Sequence, residues 1–576
     1  MAPAQLYADA RGPRWRLVRF LSSVALTTCA IAEAYAQAAA PAQAPGAQPT
    51  SETRSMDGTT TPGATPSGGG ILGGPTLRLS GLRFTSGADL SETYTTNTLG
   101  VGNAVAAGYS SGDFITRLSL SFGAHDHTAR FDGDLQYALT GSFFAEHSSY
   151  TYLSNYLNAL GTATIIPEHL IFRASAFAAP ILVNGLGPLA GAGSNSGLRD
   201  TYGYSISPDL IFRFGEFARS DTIVSQSSVF FVTPGGPIIP VLVPGLTVPN
   251  QYVSYSATEQ ISSGPDFYRL NWLLTGTGTK SVQAGANFEQ VSGTGNVKYA
   301  VNREVAVTST IGYQSFTSNQ QLSHSLVGII AMGGMQITLG PRFQADFSAG
   351  RQFNFPSYTG DLSYQFGGFT RLVGSLTDTV TPAAGQLLNG LGALGVNGAG
   401  DFLNTNYQVN PAAPPSTISN ISAFSTAPVD GGIINNGIFR YRTASLTLVH
   451  ITDRTQYRLT GYRTLTDTLT PLVGGIQNSA RATGFEAGIS RNITPVLTGS
   501  VGASYSLQDQ SGGQFAGRYR IFDGNVGLTY LMTAKMQAYV TATYSARQSD
   551  MSLVAASPFS GNLSDASITI GLRRQF

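Results

Sequence analysis

Apolar and polar residues alternate with a period of two along many segments of this chain. From Phe131, the residues Phe131, Leu135, Tyr137 and Leu139 share one parity, and the charged residues take the other. Because side chains of a β-strand point alternately to opposite faces, this pattern predicts strands with one apolar and one polar face. The same alternation recurs in segments 342–349, 536–547 and 567–576.

Short polar turns separate these strands at a steady interval, and the connections at the other strand ends are longer and rich in Gly, Pro, Asn and Ser. This asymmetry is typical of outer-membrane barrels. The sequence therefore predicts an all-β fold, a transmembrane antiparallel β-barrel of about 18–22 strands, with an even number preferred. We place the short turns near Asp126, Pro167, Ser207, Gly264, Asn302, Gly340, Gly367, Thr452, Thr494 and Thr533.

The composition supports a membrane barrel over a soluble fold. Charged residues make up 11% of the chain, against roughly a quarter in a typical soluble domain. After residue 36 no unbroken apolar run is long enough for a membrane-spanning helix, which leaves a closed barrel as the bilayer-spanning option. The formal net charge of +1 excludes a polycationic surface for nucleic acid.

The ends of the chain carry export features. Residues 1–36 predict a signal peptide, with cleavage between Ala36 and Gln37 after an Ala-x-Ala motif. The only cysteine, Cys29, lies within it, so the mature chain has no thiol chemistry. Residues 37–74 are rich in Ala, Pro and Gly and predict a disordered periplasmic segment, and residues 75–576 form the predicted barrel.

The longest connection, residues 379–436, contains a small-residue apolar patch. It either folds into the barrel mouth as a constriction or plug, or remains a mobile extracellular loop.

The last ten residues form an alternating strand that ends in Phe576. Ile570, Leu572 and Phe576 share its apolar face, and a terminal phenylalanine in this setting resembles the signal read by the outer-membrane barrel insertion machinery. Arg574 departs from the apolar residue usual at its position, although an arginine at the membrane rim can extend its charge into water.

Several segments resemble a family of outer-membrane barrels found near exosortase and PEP-CTERM exopolysaccharide loci, within a broad β-barrel porin group. The motifs are Leu90–Asn97, Asp113–Thr116, Leu135–Tyr137 with Phe143–Ala145, and Ser263–Phe267 leading to Trp272. The resemblance spans residues 80 to 275, and the remainder matches only in strand spacing. It implies an outer-membrane barrel, with a link to envelope polysaccharide export, and brings no catalytic residues.

A search for reactive groups predicts no catalytic, metal or cofactor site. His125-Asp126-His127 lacks further ligands at a recognisable spacing. The segment 276–281 has Thr279 where a phosphate-binding loop needs glycine. Asp132 and Asp134 share a face, but no Ser/His pair accompanies them. We therefore predict that the protein is not an enzyme, and a membrane-embedded hydrolase is the third alternative.

Charged residues on the polar strand faces are the candidate site. A charge facing lipid costs about 2–4 kcal/mol near the midplane, so these side chains are expected to point into the lumen. An excess of arginine at a narrow section would favour anionic solutes, whereas ion pairs across the lumen would only stiffen the barrel. Parity also turns Arg573 inward. The predicted pore-lining residues are Arg117, Arg130, Asp132, Asp134, Arg173, Arg213, Arg269, Arg342, Asp346 and Arg458.

These features predict a protein of the outer membrane of a Gram-negative bacterium, in contact with its lipid and lipopolysaccharide. The leading function is a porin-like channel or an exopolysaccharide-export pore, for which small solutes or envelope polysaccharide are the partners. The alternative is a non-conducting structural or scaffolding barrel of the cell envelope.

Overall fold

The computed structural model describes residues 77–79, 82–98, 112–182, 198–232, 251–283, 286–318, 326–382, 395–396, 402–403, 438–469, 479–511, 517–550 and 562–576. The predicted signal peptide, its cleavage site and the predicted periplasmic segment 37–74 lie outside these residues. No helix in the described ranges is both long and apolar enough to cross a membrane.

The described chain is almost entirely β-strand, with one turn of 3₁₀ helix at Ser148–Tyr150. The strands are β1 Leu77–Leu79, β2 Leu82–Thr95, β3 Asp113–His127, β4 Phe131–Phe144, β5 Tyr152–Ile166, β6 Leu170–Leu182, β7 Leu198–Phe214, β8 Ala218–Val232, β9 Gln251–Ser263, β10 Leu270–Gln283, β11 Ala286–Ala300, β12 Val305–Ser318, β13 Leu326–Leu339, β14 Phe343–Gln352, β15 Phe355–Phe366, β16 Thr370–Pro382, β17 Gly395–Val396, β18 Phe402–Leu403, β19 Ile438–Ile451, β20 Thr455–Thr468, β21 Ser479–Thr494, β22 Leu497–Ser511, β23 Gly517–Thr533, β24 Met536–Ser549 and β25 Leu563–Gln575.

Each long strand pairs antiparallel with its neighbours along the chain, and β2 pairs with β25 to close the ring. Strands β2–β16 and β19–β25 thus form a closed barrel of 22 strands, which confirms the predicted fold class and the upper end of the predicted count. The short strand β1 adds a small ladder on β2 near the chain start, and β17 pairs only with β18. Closure leaves no free sheet edge at membrane depth.

The alternation predicted from the sequence separates the two faces of the barrel wall. On β25, Ile568, Ile570 and Leu572 point outward and are exposed, whereas Leu563 and Asp565 point inward and are buried. On β3, Leu118 and Leu120 are likewise exposed on the outer face. A closed ring of strands with an exposed apolar exterior is the structure that a bilayer requires, so the protein is an outer-membrane β-barrel.

Nine of the ten predicted short turns lie at or next to connections at the periplasmic end of the barrel, where the short connections of such barrels lie. One position was wrong: Ser207 lies within β7, and the turn follows at residues 215–217, where Gly215 has a φ of +60°. Ser207 and Pro208 still pair with β6 but have no partner on β8. Because proline cannot donate to the ladder, the sequence resembled a turn where only the pairing is interrupted.

Candidate functional site

The inner wall of the barrel is rich in hydroxyl groups that bond across neighbouring strands. Between β8 and β9, the Oγ atoms of Ser225 and Ser256 lie 2.5 Å apart, and Ser227 donates to Ser205 on β7 at 2.9 Å. These residues alternate with outward-facing apolar residues such as Val224. Similar inward pairs occur around the ring, at Ser119–Thr140, Ser254–Ser281, Ser375–Ser445, Thr447–Thr460 and Thr543–Ser567.

Two of the predicted arginines form inward ion pairs towards the periplasmic end. Arg173 on β6 contacts the buried Asp209 on β7 at 2.9 Å, and Arg213 contacts Glu168 at 3.1 Å. The acidic partners come from a different strand or turn, so they cannot be identified from local spacing. Each pair cancels its own charge, which reduces the net field of this part of the wall.

Asp132 and Asp134 face two histidines of the preceding strand across the β3–β4 hairpin. His125 Nδ1 lies 3.1 Å from Asp134, and His127 Nδ1 lies 3.2 Å from Asp132. In the described part of the chain, no group of three or more His, Cys, Asp or Glu side chains is arranged to hold a metal ion. The His-Asp-His motif therefore contributes two polar pairs near the periplasmic mouth.

Three predicted lumen residues lie outside the strands, so the strand-parity argument does not apply to them. Arg130, Arg269 and Arg342 lie in the periplasmic connections immediately before β4, β10 and β14. The strand alternation ends at these turns, as at Gly340, whose φ is +61°. Arg269 instead stacks over the ring of Tyr268.

The remaining predicted residues lie on inner positions of widely separated strands. Arg117 is on β3, Asp346 is on β14 opposite Asp361, and Arg458 is on β20 opposite Gly488. The structure does not gather them into one constriction. Their role as pore-lining residues stays a prediction.

A cluster that sequence reasoning missed lies at the closure of the barrel. Asp89 on β2 accepts hydrogen bonds from Arg573 Nε on β25 and from the Tyr539 hydroxyl on β24, each at 2.9 Å. The Arg573 guanidinium also lies over the Tyr539 ring, 5.7 Å from its centroid. Arg573 was predicted to point inward, but its partner is 484 residues away in the chain and gives no local signal.

Burial of the inner wall changes along the barrel axis. Towards the extracellular end, inward side chains such as Ile115 and Gln314 are fully buried, whereas Asp132 and Arg213 at the periplasmic end are more than half exposed. The periplasmic half of the lumen is therefore open to water, and the extracellular half is packed. Buried inward aromatic residues of that half are Tyr252, Phe288, Phe316, Phe439, Tyr441 and Tyr519.

The long connection between β16 and β19 begins later than predicted, because β16 continues to Pro382. Its described parts are the paired segments β17 and β18, and β17 contacts β5. In the ring, β5 lies on the opposite side from β16 and β19. The other residues of the predicted constriction lie outside the described ranges.

The expectation that strand charges face the interior fails at the extracellular end of the outer wall. Lys280 on β10 and Glu289 on β11 point outward and form an ion pair of 2.9 Å. Several arginines of β19–β23 also point outward. The cost of a charge on the lipid face falls to about 0–1 kcal/mol near the membrane interface. Charged residues at strand ends can therefore face outward.

The comparisons with known proteins do not show which family this chain belongs to. No family model matches it, and no curated protein matches it. Solved structures with a similar fold include the FrpB iron transporter of Neisseria meningitidis, with 8% identity, a TM-score of 0.46, and coverage of 85% of this chain and 81% of that chain. A ferric enterobactin receptor (PfeA) mutant of Pseudomonas aeruginosa has 10% identity, a TM-score of 0.42, and coverage of 85% and 80%. The copper transporter OprC has 8% identity, a TM-score of 0.37, and coverage of 86% and 81%.

Proposed function

We propose that this barrel is a porin-like channel for hydrophilic, hydroxylated solutes. The observation that carries the proposal is the hydroxyl-rich inner wall, in which serine and threonine side chains of adjacent strands bond to one another around the ring. Hydroxyl groups both donate and accept hydrogen bonds, so such a wall can exchange its own contacts for those of water or a sugar.

The charges of the lumen favour neutral solutes over ions. The inward pairs Arg173–Asp209 and Arg213–Glu168 leave little net charge on their sector of the wall. Selectivity for anions would need unpaired arginines at one narrow section. Weak ion selectivity is therefore the expected property of the channel.

The inward aromatic residues of the extracellular half would suit a carbohydrate when that packed half of the lumen opens. Aromatic rings present flat apolar faces that pack against the C–H face of a sugar ring. Tyr441 lies on the inner wall of β19, and its buried hydroxyl has no hydrogen-bond partner among the described residues. Together with the resemblance of Leu90–Asn97 and the following motifs, this supports export of an envelope polysaccharide as the narrower form of the proposal.

A second candidate is a scaffolding barrel that does not conduct. The packing of inward side chains such as Ile115 and Gln314 at the extracellular end favours it, because that half of the lumen is filled. The two candidates differ in one measurable property, the conductance of the reconstituted protein.

Single-channel recording in planar bilayers tests both. We expect open conductance with weak ion selectivity, and transient blockades when a maltooligosaccharide is added. Tyr441→Ala should shorten the blockades, whereas Tyr457→Ala, which removes an outward-facing tyrosine, should not. The absence of conductance would overturn the channel proposal in favour of the scaffold. Blockades unchanged by Tyr441→Ala would remove the carbohydrate part.

A further inference from the structure

Five arginines lie together on the outer wall at the extracellular end of β19–β23, and we call them the outer arginine patch. They are Arg442, Arg463, Arg481, Arg518 and Arg520. Each is on the same strand face as exposed apolar residues, so each points out of the barrel. The apolar residues that share their faces are Leu446, Leu459, Phe485, Phe522 and Val526.

The patch is continuous across neighbouring strands. One row crosses five neighbouring strands, with each residue opposite the next: Arg442, Leu465, Arg481, Asp509 and Arg518. Neighbouring strands are about 4.8 Å apart, so this row spans roughly 19 Å, with Arg481 at its centre.

A second row lies two residues nearer the periplasm. It runs from Arg463 through Thr483 and Leu507 to Arg520, each opposite the next. The two rows together form a surface that several phosphate groups can contact at once.

A row of aromatic residues lies two residues further towards the periplasm and fixes the depth of the patch. Phe485 lies opposite Tyr505, and Tyr505 lies opposite Phe522. The rings of Phe485 and Tyr505 are 6.0 Å apart, and all three side chains are exposed outward. Aromatic girdles mark the membrane–water interface of such barrels. The arginines therefore lie at the level of the lipid headgroups in the outer leaflet.

The patch has more positive charge than its neighbours neutralise. Asp467 pairs with Arg442, and Asp509 contacts Arg518 at 2.6 Å. The other three arginines, Arg463, Arg481 and Arg520, are exposed and have no carboxylate of the described residues within ion-pair distance. The nearby connecting segments 470–478, 512–516 and 551–561 contain no acidic residue.

The described outer faces of β4, β5, β10 and β11 lack such an excess. Lys280 is neutralised by Glu289, and the outward positions of β4 and β5 carry no charged residue. Arg351 on β14 also points outward, but it is a single arginine, whereas β19–β23 bring five together.

We propose that the outer arginine patch binds the phosphorylated sugar headgroup of a glycolipid in the outer leaflet. A guanidinium group is planar and donates two parallel hydrogen bonds to phosphate oxygens, which a lysine does not. A site at headgroup depth, above an aromatic girdle, selects a phosphate that is attached to acyl chains. This proposal does not depend on conduction through the lumen.

Native mass spectrometry of the folded full-length barrel, titrated with diphosphoryl lipid A, tests the proposal. Each arginine near a phosphate contributes about 1 kcal/mol, or about five-fold in affinity, so Arg463→Ala/Arg481→Ala/Arg520→Ala should weaken binding on the order of 100-fold. The matched control is Arg351→Ala, which removes an exposed outward arginine at the extracellular end of β14. It should leave the affinity within about two-fold, because one distant charge contributes little.

Three results would overturn the proposal. Unchanged lipid A binding by the triple variant would show that these arginines are not the site. Equal losses in the triple variant and Arg351→Ala would show attraction without a site. Tight binding of inorganic phosphate, with no preference for lipid A, would show an anion site instead. If the triple alanine variant does not fold, Arg463→Lys/Arg481→Lys/Arg520→Lys keeps the three positive charges. We then expect an intermediate loss of lipid A affinity, because lysine does not donate the paired hydrogen bonds.

Discussion

Asp89 joins the first and last strands of the barrel, so its substitution tests how the ring is closed. Its carboxylate accepts hydrogen bonds from Arg573 and Tyr539, and the side chains of both Asp89 and Arg573 are mostly buried on the inner wall. Asp89→Asn keeps the size of the side chain and removes its charge. The Tyr539 hydroxyl can still donate to the amide oxygen, but Arg573 loses its ionic partner.

The expected loss of unfolding free energy in Asp89→Asn lies between the values for surface and buried ion pairs. Hydrogen bonds to charged groups contribute about 1.5–3 kcal/mol each, and breaking a fully buried pair costs about 3–5 kcal/mol. The stacking of Arg573 on Tyr539 gives the unpaired guanidinium a remaining contact. We therefore expect Asp89→Asn to lower the free energy of unfolding by about 2–4 kcal/mol.

Urea unfolding of the barrel in lipid vesicles, followed by tryptophan fluorescence and by SDS–PAGE mobility, measures this loss. The control is Asp509→Asn, which breaks a half-exposed pair with Arg518 and should cost about 0–1 kcal/mol. A double-mutant cycle with Arg573→Gln isolates the pair. A coupling energy below about 0.5 kcal/mol would refute the role of this pair in closure.

Four further variants test other contacts. Arg440→Ala leaves the buried Asp378 unpaired and should lower the free energy of unfolding in urea by about 3–5 kcal/mol. A loss below about 1 kcal/mol would contradict the burial of this pair. In Gly571→Ala, the new Cβ would lie 2.3 Å from the Tyr539 ring, so we expect a loss of about 1–3 kcal/mol in the same assay, and an unchanged midpoint would contradict this packing. Arg173→Ala removes a positive charge whose acidic partner is buried, and it should shift the reversal potential in a KCl gradient towards cations. Arg213→Ala, whose ion pair is exposed, should shift the reversal potential less. A larger shift for Arg213→Ala than for Arg173→Ala would contradict the placement of the Arg173–Asp209 pair on the lumen wall.

Local patterns in the sequence determined the architecture. The period-two alternation around Phe131 and before Phe576 predicted which side chains face lipid, and the turn signals predicted the number of strand pairs. This works because each residue of a barrel strand sees only two environments, and the backbone forces them to alternate. The error at Ser207 arose where a proline interrupts a ladder without ending the strand.

The candidate sites depend on contacts between strands, which the sequence does not show. Parity correctly predicted that Arg573 faces inward, but only the closed ring brings Asp89 to it. The same is true of the outer arginine patch, whose five members lie on four strands and form a surface only through the register of their ladders. The sequence by itself determined which face each strand residue takes, because that is a local property of the backbone. The tertiary structure decided which charges meet and at what membrane depth they lie, because both depend on register and closure across the whole chain.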